Sequence, residues 1–116
     1  MPILEQYPDL LAALRGEMTP KFLATRSATG APNVVPCISL QPADDAPDTV
    51  FFGNFLLRKS IRNLKEDARA GILVVTPELR GWMLQCDFVE FQRTGAYVDK
   101  QMSGALICLS KYAPVR

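Results

Sequence analysis

One long strand candidate, residues 82–94, constrains the fold of this chain most. Its apolar residues alternate along the strand and then slip by one position, at Trp82, Leu84, Cys86 and Phe88 and then at Val89 and Phe91. Successive side chains of a strand point to opposite faces, so a slip of one residue requires a β-bulge, which also bends the strand. The pattern therefore predicts a bulge at Phe88–Val89 in a bent strand of the kind that barrels contain, with both Leu84 and Phe91 in apolar surroundings.

Short apolar segments separated by turn residues make up most of the remaining chain. Asp9 is predicted to cap a first helix and Gly16 to end it, since these residue types favour those positions. The predicted strands are 21–26, 33–40, 49–55, 70–76, 82–94 and 105–112, and the predicted helices are 10–15 and 60–69. Six strands with two or three short helices indicate a mainly β fold, a small barrel with helical additions.

Length and composition indicate one globular domain that covers residues 1–116. Hydrophobic residues make up 48% and charged residues 22%, and the formal net charge is +1, so no overall field attracts nucleic acid or a membrane. No apolar run reaches the roughly 20 residues that span a bilayer, and the first residues lack a signal-peptide pattern. The three cysteines, Cys37, Cys86 and Cys108, are widely spaced and fit reduced, packed thiols. We therefore expect a cytoplasmic protein with neither nucleic acid nor a membrane as partner.

The chain contains no histidine. This excludes zinc sites built on imidazole, the Ser-His-Asp and Cys-His nucleophile arrangements, and imidazole acid–base catalysis. No cysteine cluster suggests a metal site, and no carboxylate pair or other side chain stands out as a catalytic acid or base. Redox or transfer chemistry in this protein would therefore be supplied by a bound cofactor.

The charges of the predicted helix 60–69 and the residues before it run in an unusual order. Basic residues crowd its start and acidic residues its end, at Arg58, Lys59 and Arg62 and then at Glu66 and Asp67. The helix dipole favours the opposite order by roughly 0.3–1 kcal/mol per charge. The reversal indicates an anion site, with Ser60 predicted as N-cap and free backbone N–H groups available to phosphate. A solvated basic face is the alternative interpretation.

The order of elements resembles a known superfamily. The segments FLATRS, PNVVPCISL, TVFFGNF, RKSIRNLKED and AGILVV follow one another as in the pyridoxamine 5'-phosphate oxidase-like proteins, which are FMN-binding split β-barrels. The resemblance covers roughly residues 20–95 and is most specific at Lys59–Leu64. It implies a six-stranded, dimeric FMN-binding split barrel in which Lys59 and Ser60 hold the FMN phosphate, with Arg58 or Arg62 as additional charge.

The resemblance implies further cofactor contacts. In the family the strand corresponding to Val35, Pro36, Cys37 and Ile38 lines the flavin, and the end of the strand corresponding to Gly53, Asn54 and Phe55 approaches the ring and phosphate. Trp82 is a candidate for stacking on the flavin or sealing the dimer, and an ordinary core position is its alternative. A proline within a strand removes a ladder donor, so Pro36 indicates either a ligand beside it or an edge or bulge position.

The predicted function is that of an FMN-binding flavoprotein, an oxidoreductase or electron carrier working as a homodimer with a small-molecule or protein redox partner. The chain is short after Gly95 and has no histidine, so oxidation of vitamin B6 itself is not expected. The alternatives are a relative that binds F420 or haem, and a cofactor-free interaction module on the same barrel. Haem is disfavoured by the missing histidines, although cysteine or tyrosine can also ligate iron.

Overall fold

A computed structural model describes residues 3–16, 18–37, 39–43, 48–53, 58–92 and 105–110. The helices are α1 (Ile3–Gln6), α2 (Pro8–Arg15) and α3 (Arg58–Glu66). The strands are β1 (Lys21–Arg26), β2 (Pro32–Pro36), β3 (Gln41–Pro42), β4 (Thr49–Gly53), β5 (Arg69–Val75), β6 (Gly81–Gln92) and β7 (Ala105–Ser110).

All the described strands belong to one antiparallel sheet. Their order is β2-β1-β5-β6-β7-β4-β3, with β2 and β3 at its two ends. This confirms the mainly β fold with short helices. The described sheet has seven strands rather than six, because the two-residue strand β3 pairs with β4 and lies between the predicted strands 33–40 and 49–55, where no strand was predicted. Closure of the sheet into a barrel and dimerisation stay predictions.

The bulge predicted in the long strand is present. Phe88 is opposite Cys108 in β7 while Glu90 is opposite Ile107, so the register shifts by one residue and Val89 has no partner of its own. Leu84 is fully buried, as the first half of the alternation predicts, and Val89 is 52% exposed. The predicted burial of Phe91 lies outside the side chains that the structure describes.

The sheet has two distinct faces, seen most clearly on β1. Lys21, Leu23 and Thr25 are buried on what we call the inner face, and Phe22 and Ala24 lie on the outer face and are only half-buried. The inner face carries the hydrophobic core together with α2, whose Leu10 and Leu14 are fully buried. Each such leucine stabilises the fold by about 1.5–3 kcal/mol relative to an exposed position.

The predicted cap of the first helix is wrong. Helix α2 begins at Pro8, with Tyr7 at the N-cap position and no side-chain hydrogen bond there. Proline suits the first helical turn because its missing N–H has no partner in a helix at that point. Asp9 therefore lies within the first turn, where its carboxylate pairs with Arg80 at 3.1 Å.

The boundaries predicted for the second helix are also wrong. Helix α3 spans Arg58–Glu66, so Ser60 is inside its first turn and is not the N-cap. The helix ends earlier than predicted because the Asp67 carboxylate accepts hydrogen bonds from the backbone N–H of Arg69, at 3.1 Å, and from its guanidinium. These bonds turn the chain, and Arg69 begins β5 instead of ending the helix.

Candidate functional site

Helix α3 is fastened to β1 and β2 by polar side chains. The Asn33 amide on β2 donates to the Ser60 hydroxyl at 3.2 Å, and the Asn63 amide donates to the Thr25 hydroxyl on β1 at 3.0 Å. Thr25 and Asn33 are paired neighbours across the two strands, and Ser60 and Asn63 are one helical turn apart. The two bonds therefore join one row of the sheet to one face of the helix.

The exposed side of α3 is basic at its start. Arg58, Lys59 and Arg62 are exposed, whereas Ser60 beside them is only 1% exposed. Within the part of the chain that the structure describes, no hydrogen bond or ion pair engages these three cationic side chains. The positive end of the helix dipole adds to their charge, so this helix start attracts anions.

The segments predicted to line a flavin meet near a short turn after β2. Cys37 is buried, and Ser39 contacts its thiol, with Oγ and Sγ 4.0 Å apart. The Ser39 hydroxyl also accepts a hydrogen bond at 3.1 Å from the backbone N–H of Gly53, the last residue of β4. Of the predicted lining residues, the structure thus brings Cys37 and Gly53 to the same serine. Ile38, Asn54 and Phe55 lie outside the described residues.

The strand β2 explains the unusual proline. Pro36 is its exposed last residue and pairs with Phe22, and β2 has a partner on one side only in the described sheet. A proline is tolerated at such an edge because no ladder donor is needed there. Val35, one residue earlier, packs half-buried against the core.

The thiol of Cys37 is held in its neutral form. Burial raises the pKa of Cys37 to about 11, and the contact with the Ser39 hydroxyl and the charge of Lys21 offset this only in part. A neutral, buried thiol is a poor nucleophile, since the thiolate is the reactive form. The interpretation of Cys37 as a packed side chain fits this environment.

Trp82 lies in a different environment from the start of α3. It is half-buried against the core, and the Arg80 guanidinium lies over its ring, 5.2 Å from the ring centre. Arg80 also pairs with Asp9 of α2. The contacts described for Trp82 are therefore those of a side chain that closes one end of the core, and its contact with a flavin stays a prediction.

A cavity of about 460 Å³ lies across β1, β5 and β6, and none of the predicted cofactor residues lines it. Ala24, Gly71 and Gln85 line it, with Arg26, Arg69 and Asp87 at its charged end. Hydrogen bonds from Arg69 lower the pKa of the neighbouring Asp67 to about 2, so this carboxylate stays charged. The charges around this end alternate in sign and do not favour an anion.

Among the described residues, no group of three His, Cys, Asp or Glu side chains is placed to hold a metal ion.

Comparison with solved structures identifies the fold. An FMN-binding protein from Syntrophomonas wolfei matches with a TM-score of 0.77 and 19% identity, over 98% of this chain and 86% of that one. A structure described as a pyridoxamine 5'-phosphate oxidase from Lactobacillus delbrueckii matches with a TM-score of 0.73 and 15% identity, over 89% and 88% of the two chains. The chain has the pyridoxamine 5'-phosphate oxidase-like fold. No protein-family model and no curated protein sequence matches it.

Solved structures similar to this chain are named for different ligands. An F420 reductase matches this chain with a TM-score of 0.69 and 16% identity, over 87% of this chain and 92% of that one. The haem storage protein HutZ from Vibrio cholerae matches with a TM-score of 0.60 and 13% identity, over 100% and 92%. At these identities the fold alone is shared.

No described helix is long and apolar enough to cross a membrane.

Sequence reasoning missed the polar residues that assemble this site. Asn33 and Ser39 were not singled out, although they connect the segments that were, and Asn63 was only part of the Lys59–Leu64 motif, with no role assigned to it. A signal was available for Asn33, because it shares the inward phase of β2 with the apolar Val35. A polar residue in that phase needs a buried hydrogen-bond partner.

Proposed function

We propose that this protein binds FMN and acts as a flavin-dependent oxidoreductase or electron carrier. The observation that carries the proposal is the basic start of α3, which the Asn33–Ser60 hydrogen bond fastens to β2. Exposed guanidinium and ammonium groups without described partners fit a phosphate at the start of a helix. The similar solved structures support FMN through the FMN-binding protein of the same fold.

Each residue then has a separate role. Arg58 and Lys59 supply charge-assisted hydrogen bonds to the phosphate. The Ser60 hydroxyl accepts from Asn33 and still has its own O–H to donate, so it both positions the helix and can bind phosphate. Val35, Pro36, Cys37 and Gly53 flank the ring. FMN, when bound there, would supply the hydride or electron transfer, and the residues named above would bind and orient it.

We also propose that the protein works as a homodimer through its outer face. Three apolar side chains are exposed there, Val34 at 63%, Leu73 at 37% and Met83 at 46%. Leu73 and Met83 are paired neighbours, and the Ala24–Val34 and Phe22–Leu73 pairs extend the same face to β2. A contiguous apolar surface of this kind marks an interaction site, and a second copy would cover it.

The identity of the chromophore separates this proposal from its alternatives. The purified protein is expected to show flavin absorption, and mass spectrometry of the extracted chromophore should give FMN. Extraction of F420 or haem would instead favour the corresponding alternative, and the exposed Arg62 of α3 is a candidate contact for the extended anionic tail of F420. A colourless protein that fails to bind added FMN would indicate an interaction module and overturn the proposal.

A further inference from the structure

Lys21, the first residue of β1, is buried on the inner face. Its side chain is 1% exposed, and Nζ donates a hydrogen bond to the carbonyl oxygen of Leu40 at 2.8 Å. Lysine is almost never buried to this extent unless its ammonium is paired, because an ammonium group loses strong hydration when it leaves water. The hydrogen bond to Leu40 is one of the interactions that make the burial of Lys21 possible.

Lys21 is bonded to both ends of the turn that follows β2. Its carbonyl accepts from the backbone N–H of Cys37 at 2.8 Å, and its ammonium donates to Leu40, whose own N–H bonds back to the Cys37 carbonyl at 3.2 Å. The turn is therefore closed by three hydrogen bonds, two of which involve Lys21. The main chain and the side chain of Lys21 therefore hold Cys37 and Leu40, the two ends of this turn.

The same turn connects the two segments assigned to the flavin. Ser39, inside the turn, accepts from the N–H of Gly53 and contacts the Cys37 thiol. A change at Lys21 is thus passed to Cys37 directly and to Gly53 through Ser39. Each of these steps is a described hydrogen bond or contact.

The charge of Lys21 acts on this neighbourhood. The positive charge of Lys21 acts to lower the pKa of Cys37, so its field reaches that thiol. Burial raises the same pKa by more, and the thiol therefore stays neutral. The ammonium therefore does not serve to create a thiolate. A positive charge in a weakly polar interior favours whichever state of a nearby group is more negative.

We propose that Lys21 is a positioning residue of the FMN site, whose buried ammonium holds Leu40 at the end of this turn and makes reduced FMN bind more tightly relative to oxidised FMN. Reduced flavin can carry a negative charge on its ring that oxidised flavin lacks, so a fixed cation beside the ring-lining segment stabilises the reduced form. Charge near the ring is a general means by which proteins tune flavins. The inference rests on the proposed function, because it requires FMN at Cys37 and Gly53.

Two substitutions separate the charge from the hydrogen bond. Lys21→Met removes both and retains the length of the side chain, and replacing a buried ion by an apolar group of similar volume is commonly tolerated by folded proteins. Lys21→Gln removes the charge but keeps an N–H donor for the Leu40 carbonyl. Lys65→Met is the matched control, since it removes the same charge from an exposed position of α3. Circular dichroism and thermal melting verify the fold of each variant.

The measured quantity is the ratio of the dissociation constants of oxidised and reduced FMN, obtained by anaerobic titration of the full chain. Both Lys21 variants are expected to lower this ratio at least tenfold, equivalent to about 30 mV for a two-electron couple, and Lys65→Met is expected to leave it unchanged. If Lys21→Met does not fold, Lys21→Gln decides the test, because it keeps the turn bonded.

An unchanged ratio in a folded Lys21 variant would overturn this inference while the proposed function stands. A shift of equal size in Lys65→Met would also overturn it, because the effect would then be one of net charge. A wild-type protein that binds FMN in neither redox state would overturn the proposed function, and the inference with it.

Discussion

Replacing Lys59 by alanine tests the phosphate site most directly. A charge-assisted hydrogen bond contributes about 1.5–3 kcal/mol where it is well formed. Lys59 is exposed, and Arg58 and Arg62 remain beside it in the variant, so the loss should be near the lower limit. We expect FMN to bind about tenfold more weakly, which corresponds to about 1.4 kcal/mol.

Riboflavin provides the internal control of this experiment, because it has the same ring and no phosphate. It is expected to bind the wild-type protein weakly and to respond little to Lys59→Ala. Lys65→Ala, which removes a lysine two turns further along α3, should change the affinity for FMN much less. Quenching of flavin fluorescence in a titration gives all the dissociation constants.

Ionic strength sharpens the same test. The Debye length is about 30 Å at 0.01 M salt and about 10 Å at 0.1 M, so an exposed ammonium acts most strongly at low salt. The difference between wild type and Lys59→Ala should therefore shrink as salt is added. Equal affinity of the two proteins for FMN at both salt concentrations would show that the phosphate is held elsewhere and that the role assigned to Lys59 is wrong.

Four further results are expected. Asn63→Ala should lower the free energy of unfolding in urea by about 1–3 kcal/mol, because the buried Thr25 hydroxyl loses its donor. Leu84→Ala, at a fully buried position, should cost about 2–5 kcal/mol in the same assay, and a cost near zero would contradict the inner-face assignment. Leu73→Glu should convert the dimer into a monomer of about 12.8 kDa by light scattering, and a wild-type protein that is monomeric with FMN bound would reject the dimer. Cys37, whose pKa is raised to about 11, should react slowly with a thiol reagent at pH 8 and rapidly after unfolding. Because the folded state holds this proton more tightly than the unfolded state, Cys37 contributes its full share to the free energy of unfolding below the ordinary thiol pKa, and this share is lost as pH rises towards 11.

The parts of the fold that were predicted from sequence depend on local patterns. Strand β1 was predicted with its observed ends, and the bulge in β6 was placed correctly, because alternation and turn residues are properties of adjacent positions. Helix α1 was not predicted. Its first N–H groups bond to the carboxylate of Asp48, at 2.8 Å from Ile3 and 2.9 Å from Leu4, and a bond across more than forty residues leaves no local pattern.

The candidate site was also predicted only in part, where its residues are adjacent in the sequence. The basic start of α3 could be read from its charges, because they are adjacent in the sequence. The N-cap assignment of Ser60 is wrong because the helix already includes Arg58 and Lys59, and a serine near a helix start suits both the cap and the first turn. The burial of Lys21 was also hidden, since a lysine at the start of a strand is ordinarily exposed.

The fastening of α3 by amide–hydroxyl pairs has a consequence for how this protein can vary. Apolar contacts tolerate sliding and substitution by side chains of similar volume, whereas each of these bonds requires one donor and one acceptor at fixed positions. A helix shifted by one turn, about 5.4 Å, would place Ser60 and Asn63 out of reach of both partners. We therefore expect residues 33 and 60 to change together in evolution, and likewise residues 25 and 63. These two couplings between distant parts of the sequence would preserve the direction in which the basic residues of α3 point.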